Sequence, residues 1–192
     1  PAQLRVLLNA VDTRRFQPGP PLPAKPHRAL AYAKNLGHID VIRRACAARK
    51  IAVDFVGSAV GKIIEAPESV LAGYDLVFAS ALSAIEAMAT GRAVVVCDGR
   101  GLAGFATQQR ARQWRPRNFG LRTLTRAVDD KALIEEIDAY DPKESADVCG
   151  FIREHANQEN WLDDIEALHR ETVAHHATST ASSAAMATAR HV

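Results

Sequence analysis

"DLVFASALSAIEAMATGRAVVVCDGRGLAG", residues 75–104, decides the fold. "DLVFAS" (75–80) is a short apolar run ending in small residues, the pattern of a buried strand. "SAIEAMAT" (83–90) reads as a helix closed by Gly91, and "AVVVCD" (93–98) as the next strand. Strand, helix and strand in this order predict a parallel pair joined by a helical crossover.

The same alternation extends upstream. "RALAYAK" (28–34) predicts a strand, and "IDVIRRACAARK" (39–50) a helix with Ile39, Ile42, Ala45 and Cys46 on one face. "IAVDFVG" (51–57) predicts a strand stopped by Gly57, and "APESVLAGY" (66–74) a short helix with Pro67 early. From 28 to 98 the chain therefore reads as α/β, a Rossmann-like parallel sheet flanked by helices. Nearer the start, "LRVLLNA" (4–10) predicts one more short strand. "QPGPPLPAKP" (17–26) holds five prolines and a glycine and predicts a linker.

Downstream the character changes. Residues 108–126 carry six arginines and no acid. "DDKALIEEIDAY" (129–140) predicts an acidic helix that Pro142 ends, and 143–176 is helical with breaks near Gly150 and Asn157. Residues 177–192 are small and polar without periodicity and predict a disordered tail. The expected organisation is a linker segment over 1–26, a domain over 27–176 with C-terminal helices, and the tail.

Composition bounds the function. The chain has 192 residues, 47% hydrophobic and 24% charged, enough for one ordinary core. A net charge of +2 gives no argument for nucleic acid. Cys46, Cys97 and Cys149 are odd in number and far apart, so no disulfide framework is expected and a cytoplasmic location is the default. No apolar run approaches the roughly 18 residues of a membrane span, and no signal peptide is visible. The seven histidines show no metal-ligand spacing, so no metal is expected.

Two constellations carry chemistry. Gly99, Gly101 and Gly104 have the spacing that cradles a dinucleotide pyrophosphate. That reading also needs an acid about 20 residues on and a helix packed behind the third glycine. The next acid is Asp129, "FATQQRARQWRP" packs poorly, and the glycines follow a late strand. A glycine turn at a strand's C-terminal end is the plainer reading.

The second constellation is the junction at Ala79–Ala81, the helix starting near Ser83, and Glu86 one turn in. Small residues there let a ligand approach backbone N–H groups, and a helix N-terminus favours phosphate. Glu86 can accept from both hydroxyls of a ribose. The same spacing, Ser83-x-x-Glu86, also reads as a capping box.

Two passages resemble the C-terminal, donor-binding half of GT-B-fold glycosyltransferases, close to the large retaining group, family 4. "NAVDTRRFQP" (9–18) is similar to the segment leading from the acceptor domain into the donor domain, and "SAIEAMATGRAVVV" (83–96) to the donor-domain motif. The likeness runs from about Leu4 to Ala174. It implies a nucleotide-diphosphate sugar held between two Rossmann-like domains, as donor substrate and without a cofactor or essential metal. It implies that Glu86 holds the ribose, that Lys34 neutralises the leaving diphosphate, and that Gly101 and Leu102 belong to a glycine-rich loop at the cleft, beside Ser83. The chain differs from the pattern at Ala10, Phe78 and Ala93, and only His38 offers a second basic residue after Lys34. No catalytic residue is assigned, and the base, sugar, acceptor and stereochemistry stay open.

The resemblance also implies an N-terminal acceptor domain that these residues lack, so the chain alone is expected to be inactive. The alternatives are a non-catalytic sugar-nucleotide-binding or interaction domain and, less favoured, an NAD-dependent oxidoreductase. Arg110, Arg112, Arg115 and Arg117 around Trp114 read as a solvated loop with one aromatic anchor, or as a surface for an anionic acceptor or a peripheral membrane contact.

Overall fold

The computed structural model describes residues 5–189, with side chains through residue 176. Leu8–Asn157 form one compact unit, and the chain ends on either side of it form another.

The larger unit is an α/β sandwich. Its strands are β1 (Arg28–Tyr32), β2 (Ala52–Val56), β3 (Leu76–Ala79), β4 (Ala93–Asp98) and β5 (Gly101–Phe105). Its helices are α1 (Ile39–Ala48), α2 (Pro67–Leu71), α3 (Leu82–Ala89), α4 (Gln108–Trp114), α5 (Asp130–Asp138) and α6 (Pro142–His155). The sheet order is β2-β1-β3-β4-β5. The first four strands pair in parallel, and β5 is antiparallel to β4 at the edge. This is the Rossmann-like fold expected, with its helices in two layers.

Period-two alternation sorts the side chains. Leu30, Val77, Val94 and Val96 face one layer and pack with Ile85 and Met88 of α3 and Ile152 of α6. Ala31, Phe78 and Val95 face the other and pack with Ile42 and Cys46 of α1 and Leu133 and Ile137 of α5. Both faces of β3 and β4 are covered, which is why these strands are apolar at every position. Helix α3 is rich in Ala because it is wedged between the sheet and α6. Ala84, Ala87 and Ala89 are all fully buried.

The sequence reading needs several corrections. No strand forms at 5–10, and Leu4 of the expected strand lies outside the described residues. The chain there is irregular until Val11, whose N–H donates to the Ala156 carbonyl at 2.8 Å. The proline-rich segment is strapped to the sandwich rather than free: Arg92 donates to the Pro20 carbonyl at 2.6 Å and Tyr140 to Pro23 at 2.9 Å. With Val11 and Phe16 in the core, residues 8–26 belong to the compact unit. Helix α6 passes through Gly150 unbroken, whereas the break near Asn157 does occur.

A further correction concerns the C-terminus. A helix, α7 (Gln158–Ala189), continues into the stretch expected to be a disordered tail. It belongs to the second unit, where Arg5 pairs with Glu171 at 2.9 Å. Residues 190–192 of that expected tail lie outside the described residues.

The glycines of 99–104 depart furthest from expectation. They form a hairpin, Asp98 pairing with Gly101 and Val96 with Gly104, with a register shift between Val96 and Cys97. Gly101 is required by close approach, since a Cβ there would lie 2.9 Å from the Leu124 carbonyl oxygen. Gly104 has φ +125°, and a Cβ there would lie 2.6 Å from Glu136 Oε2. Glycine here answers tertiary crowding on an edge strand, which a one-dimensional pattern reads as a turn.

Candidate functional site

In a doubly wound sheet, ligands sit beyond the carboxyl ends of the strands, where neighbouring strands send their connections to opposite faces. Here that point lies between β1 and β3. Strand β1 leads into α1 on one face, and β3 leads into α3 on the other.

Three of the residues expected at the site are gathered there. Lys34 follows the end of β1 and is exposed, and its Nζ reaches the Ser80 carbonyl at 3.4 Å across the two strand ends. Ser83 is the second residue of α3. Ala81, not Ser83, is the N-cap, and no side chain caps the helix, so the capping box does not form. Glu86 stands one turn further on, half-buried.

Gly101 and Leu102 are elsewhere in role. They lie within β5, and the Leu102 N–H is taken by the Arg126 carbonyl at 2.9 Å. They do not form a ligand-facing glycine loop. It is Gly99, at the hairpin tip, that approaches the β1–α1 loop. A Cβ on Gly37 would lie 3.1 Å from the Gly99 carbonyl oxygen.

The backbone at the junction is strained. Ala81 sits at φ 55°, ψ −129°, a region ordinary residues avoid, and its N–H donates to Phe119 at 2.8 Å. Beside it, Ser80 Oγ donates to Asp98 Oδ2 at 3.0 Å. Asp98 also accepts from the Arg100 side chain at 2.6 Å. Burial alone would raise the Asp98 pKa, but the Arg100 and Ser80 bonds hold it below the usual value. Next to Asp98 lies His38, 1% exposed, whose pKa burial pushes down although Asp98 and the Tyr32 backbone act the other way.

Glu86 is perturbed in the opposite sense to Asp98. Burial pushes its carboxyl up; Arg15 and Lys34 pull it back, and Glu68 adds to the rise. Arg15 comes from the N-terminal segment and pairs with Glu68 of α2 at 2.8 Å. The Tyr32 hydroxyl, at the end of β1, is buried without a hydrogen-bond partner.

Sequence reasoning missed Arg15, Tyr32, Glu68, Ser80 and Asp98. Asp98 had a signal, an acid closing a buried strand. Arg15 lay inside the quoted "NAVDTRRFQP". Tyr32 and Glu68 had none, because their positions depend on which helix covers which face.

The arginine-rich stretch is mostly consumed by the fold. Arg115 donates to the His155 carbonyl at 3.2 Å, Arg112 stacks over Phe151, and Arg110 and Arg126 both bind Glu136. Among the described residues, no three His, Cys, Asp or Glu side chains gather as metal ligands, and no helix is long and apolar enough to cross a membrane.

Fold and site together define a doubly wound α/β unit with a mixed-charge group of side chains at its switch point. Comparison with protein-family models, curated proteins and solved structures found no match.

Proposed function

We propose that the Leu8–Asn157 unit binds a nucleoside diphosphate, as the donor-binding part of a glycosyltransferase acting on a nucleotide-diphosphate sugar. The observation that carries this reading is the bridge of Lys34 to the Ser80 carbonyl beside the α3 N-terminus, with Glu86 one turn away. A cation and a helix N-terminus favour the diphosphate, and a half-buried carboxylate at that distance along the helix suits the ribose hydroxyls. In transfer, fixed positive charge at the departing diphosphate stabilises the transition state. The resemblance to the GT-B donor half supplies the sugar and the second, acceptor-binding domain. It also supplies the reading that donor binding needs no metal. The three free cysteines support a cytoplasmic location as part of this reading.

One observation favours binding without transfer. Phe78 stands where many members of that family carry a second glutamate, and it is fully buried in β3. A buried phenylalanine offers no acceptor to a sugar. The NAD reading loses its motif, because the glycines belong to a hairpin and not to a strand–helix turn.

A thermal-shift series with UDP, GDP, ADP and NAD tests the proposal. Stabilisation by one nucleoside diphosphate, reduced in Lys34→Ala, is expected. Stabilisation by NAD alone, or by none of the four, would sink it.

A further inference from the structure

Among the described residues, several buried side-chain polar atoms lack hydrogen-bond partners, and two of them belong to neighbours of Glu86. These two are the Tyr32 hydroxyl and Glu68 Oε2, both buried. Each such orphan is a net cost to the fold, and native folds keep few of them. Tyr32 packs against the core cluster that contains Ile85 of α3 and Phe16. Glu86 projects from the same helix, and Arg15 precedes Phe16 directly. Glu68 is held toward this group by its other oxygen, Oε1, which pairs with Arg15 Nε at 2.8 Å.

We propose that Tyr32, Glu68 and Arg15 extend the Glu86 position into one hydroxyl-binding subsite that takes the vicinal diol of a nucleoside's ribose. This inference rests on the nucleoside diphosphate reading given above.

The donor and acceptor inventory selects the ligand. Ionised Glu68 and Glu86 only accept, and the Tyr32 hydroxyl both donates and accepts. What completes such a set is a group with more than one donor. Adjacent hydroxyls supply two, at a spacing that matches the two oxygens of a carboxylate. A phosphate has the wrong sign for this pair of glutamates and suits the Lys34 side of the switch point. A metal ion suits it poorly, because Arg15 already neutralises Glu68. The Arg15 and Glu68 side chains are 49% and 22% exposed, so rotation of this pair opens the carboxylate to an incoming hydroxyl.

Titration calorimetry on the full 192-residue chain decides the matter. UDP, GDP and ADP are compared with their 2′,3′-dideoxy counterparts, in wild type, Tyr32→Phe, Glu68→Gln and Glu86→Ala. Tyr32→Phe and Glu68→Gln are each expected to weaken the ribonucleotide about three- to tenfold and to leave the dideoxy form unchanged. Tyr32→Phe should melt no lower than wild type, because it removes an orphan hydroxyl. Unchanged ribonucleotide binding in both variants, with a loss in Glu86→Ala, overturns the subsite and leaves the nucleotide reading standing. Equal losses for ribo and dideoxy forms also overturn it. Wild type that binds none of the nucleotides overturns both. A melting shift by Mn²⁺ alone that Tyr32→Phe and Glu68→Gln abolish replaces the diol with a cation.

Discussion

Glu86 and Glu136 are both glutamates drawn into the sandwich, and they end in opposite electrostatic states. Glu136 is 5% exposed. It accepts from the Phe105 N–H at 2.6 Å, from Arg110 at 2.8 Å and from Arg126. Burial would raise its pKa, yet these three donors hold it below the ordinary carboxylate value. Glu86 is also partly desolvated, and burial prevails there, because Arg15 and Lys34 act on it only at a distance. Glu136 is thus satisfied by the fold and ties α5 to the β5 hairpin. Glu86 keeps acceptor capacity at the switch point. A carboxylate that the fold satisfies is structural. One that the fold desolvates without satisfying is where a ligand finds its binding energy.

The largest effect expected is at the structural carboxylate. Gly104→Ala forces a Cβ to within 2.6 Å of Glu136 Oε2 at a residue with φ +125°. Backbone strain and displacement of the carboxylate together should remove about 3 kcal/mol or more. For a unit of this size that lowers Tm by roughly 6–12 °C. A variant melting within a degree or two of wild type would show that Glu136 is not held as described.

Glu86→Ala should do the reverse, with large effects on binding and small ones on folding. Losing hydrogen bonds to a charged acceptor weakens nucleoside diphosphate affinity about tenfold or more, while Tm does not fall, because no capping box is lost and a desolvated charge is removed. Calorimetry and a melting curve on the same sample separate the two. Normal affinity with a lowered Tm would make Glu86 a second structural glutamate and erase the contrast.

Acidity sharpens the comparison by sign. The folded pKa of Glu136 lies below its unfolded value, so its stabilisation is present above the unfolded pKa and is lost as pH falls through the folded one. The folded pKa of Glu86 lies above its unfolded value. It therefore destabilises the charged fold, and that penalty disappears as pH falls. Urea unfolding from neutral to acid pH should show a shallower acid decline in Glu136→Gln. In Glu86→Gln it should show a gain confined to neutral pH. Parallel curves for both variants would refute the assignment.

Much of this molecule was legible in the sequence, for physical reasons. The four parallel strands and α1, α3 and α5 announce themselves through apolar runs and 3.6-residue spacing. Lys34 and Glu86 sit where the strand and helix ends predict. What stayed hidden depends on contacts distant in sequence. Gly101 and Gly104 are glycines because Leu124 and Glu136 crowd them from another element, and no local pattern reports that. The described part of "LRVLLNA", residues 5–10, is mostly apolar but pairs with no strand. The proline segment reads as a free linker because its anchors, Arg92 and Tyr140, lie far along the chain.

The smallest effect concerns the backbone itself. Gly104 and Ala81 both have positive φ, at +125° and 55°. The structural site uses glycine and the candidate site uses alanine. Alanine in this region is strained by about 1–3 kcal/mol, and Ala81 carries that strain between Ser80 and the first turn of α3. Glycine relieves the strain but loses roughly 0.5–1 kcal/mol through the added freedom of the unfolded chain. The net expectation for Ala81→Gly is a gain of about 1 kcal/mol, which raises Tm by roughly 2–4 °C. The gain should come with weaker nucleoside diphosphate binding, since a looser junction no longer fixes the α3 N-terminus against Lys34. A rise in Tm with unchanged affinity would mean that the strain is incidental to the site. A fall in Tm would mean that the alanine methyl contributes packing that outweighs its strain.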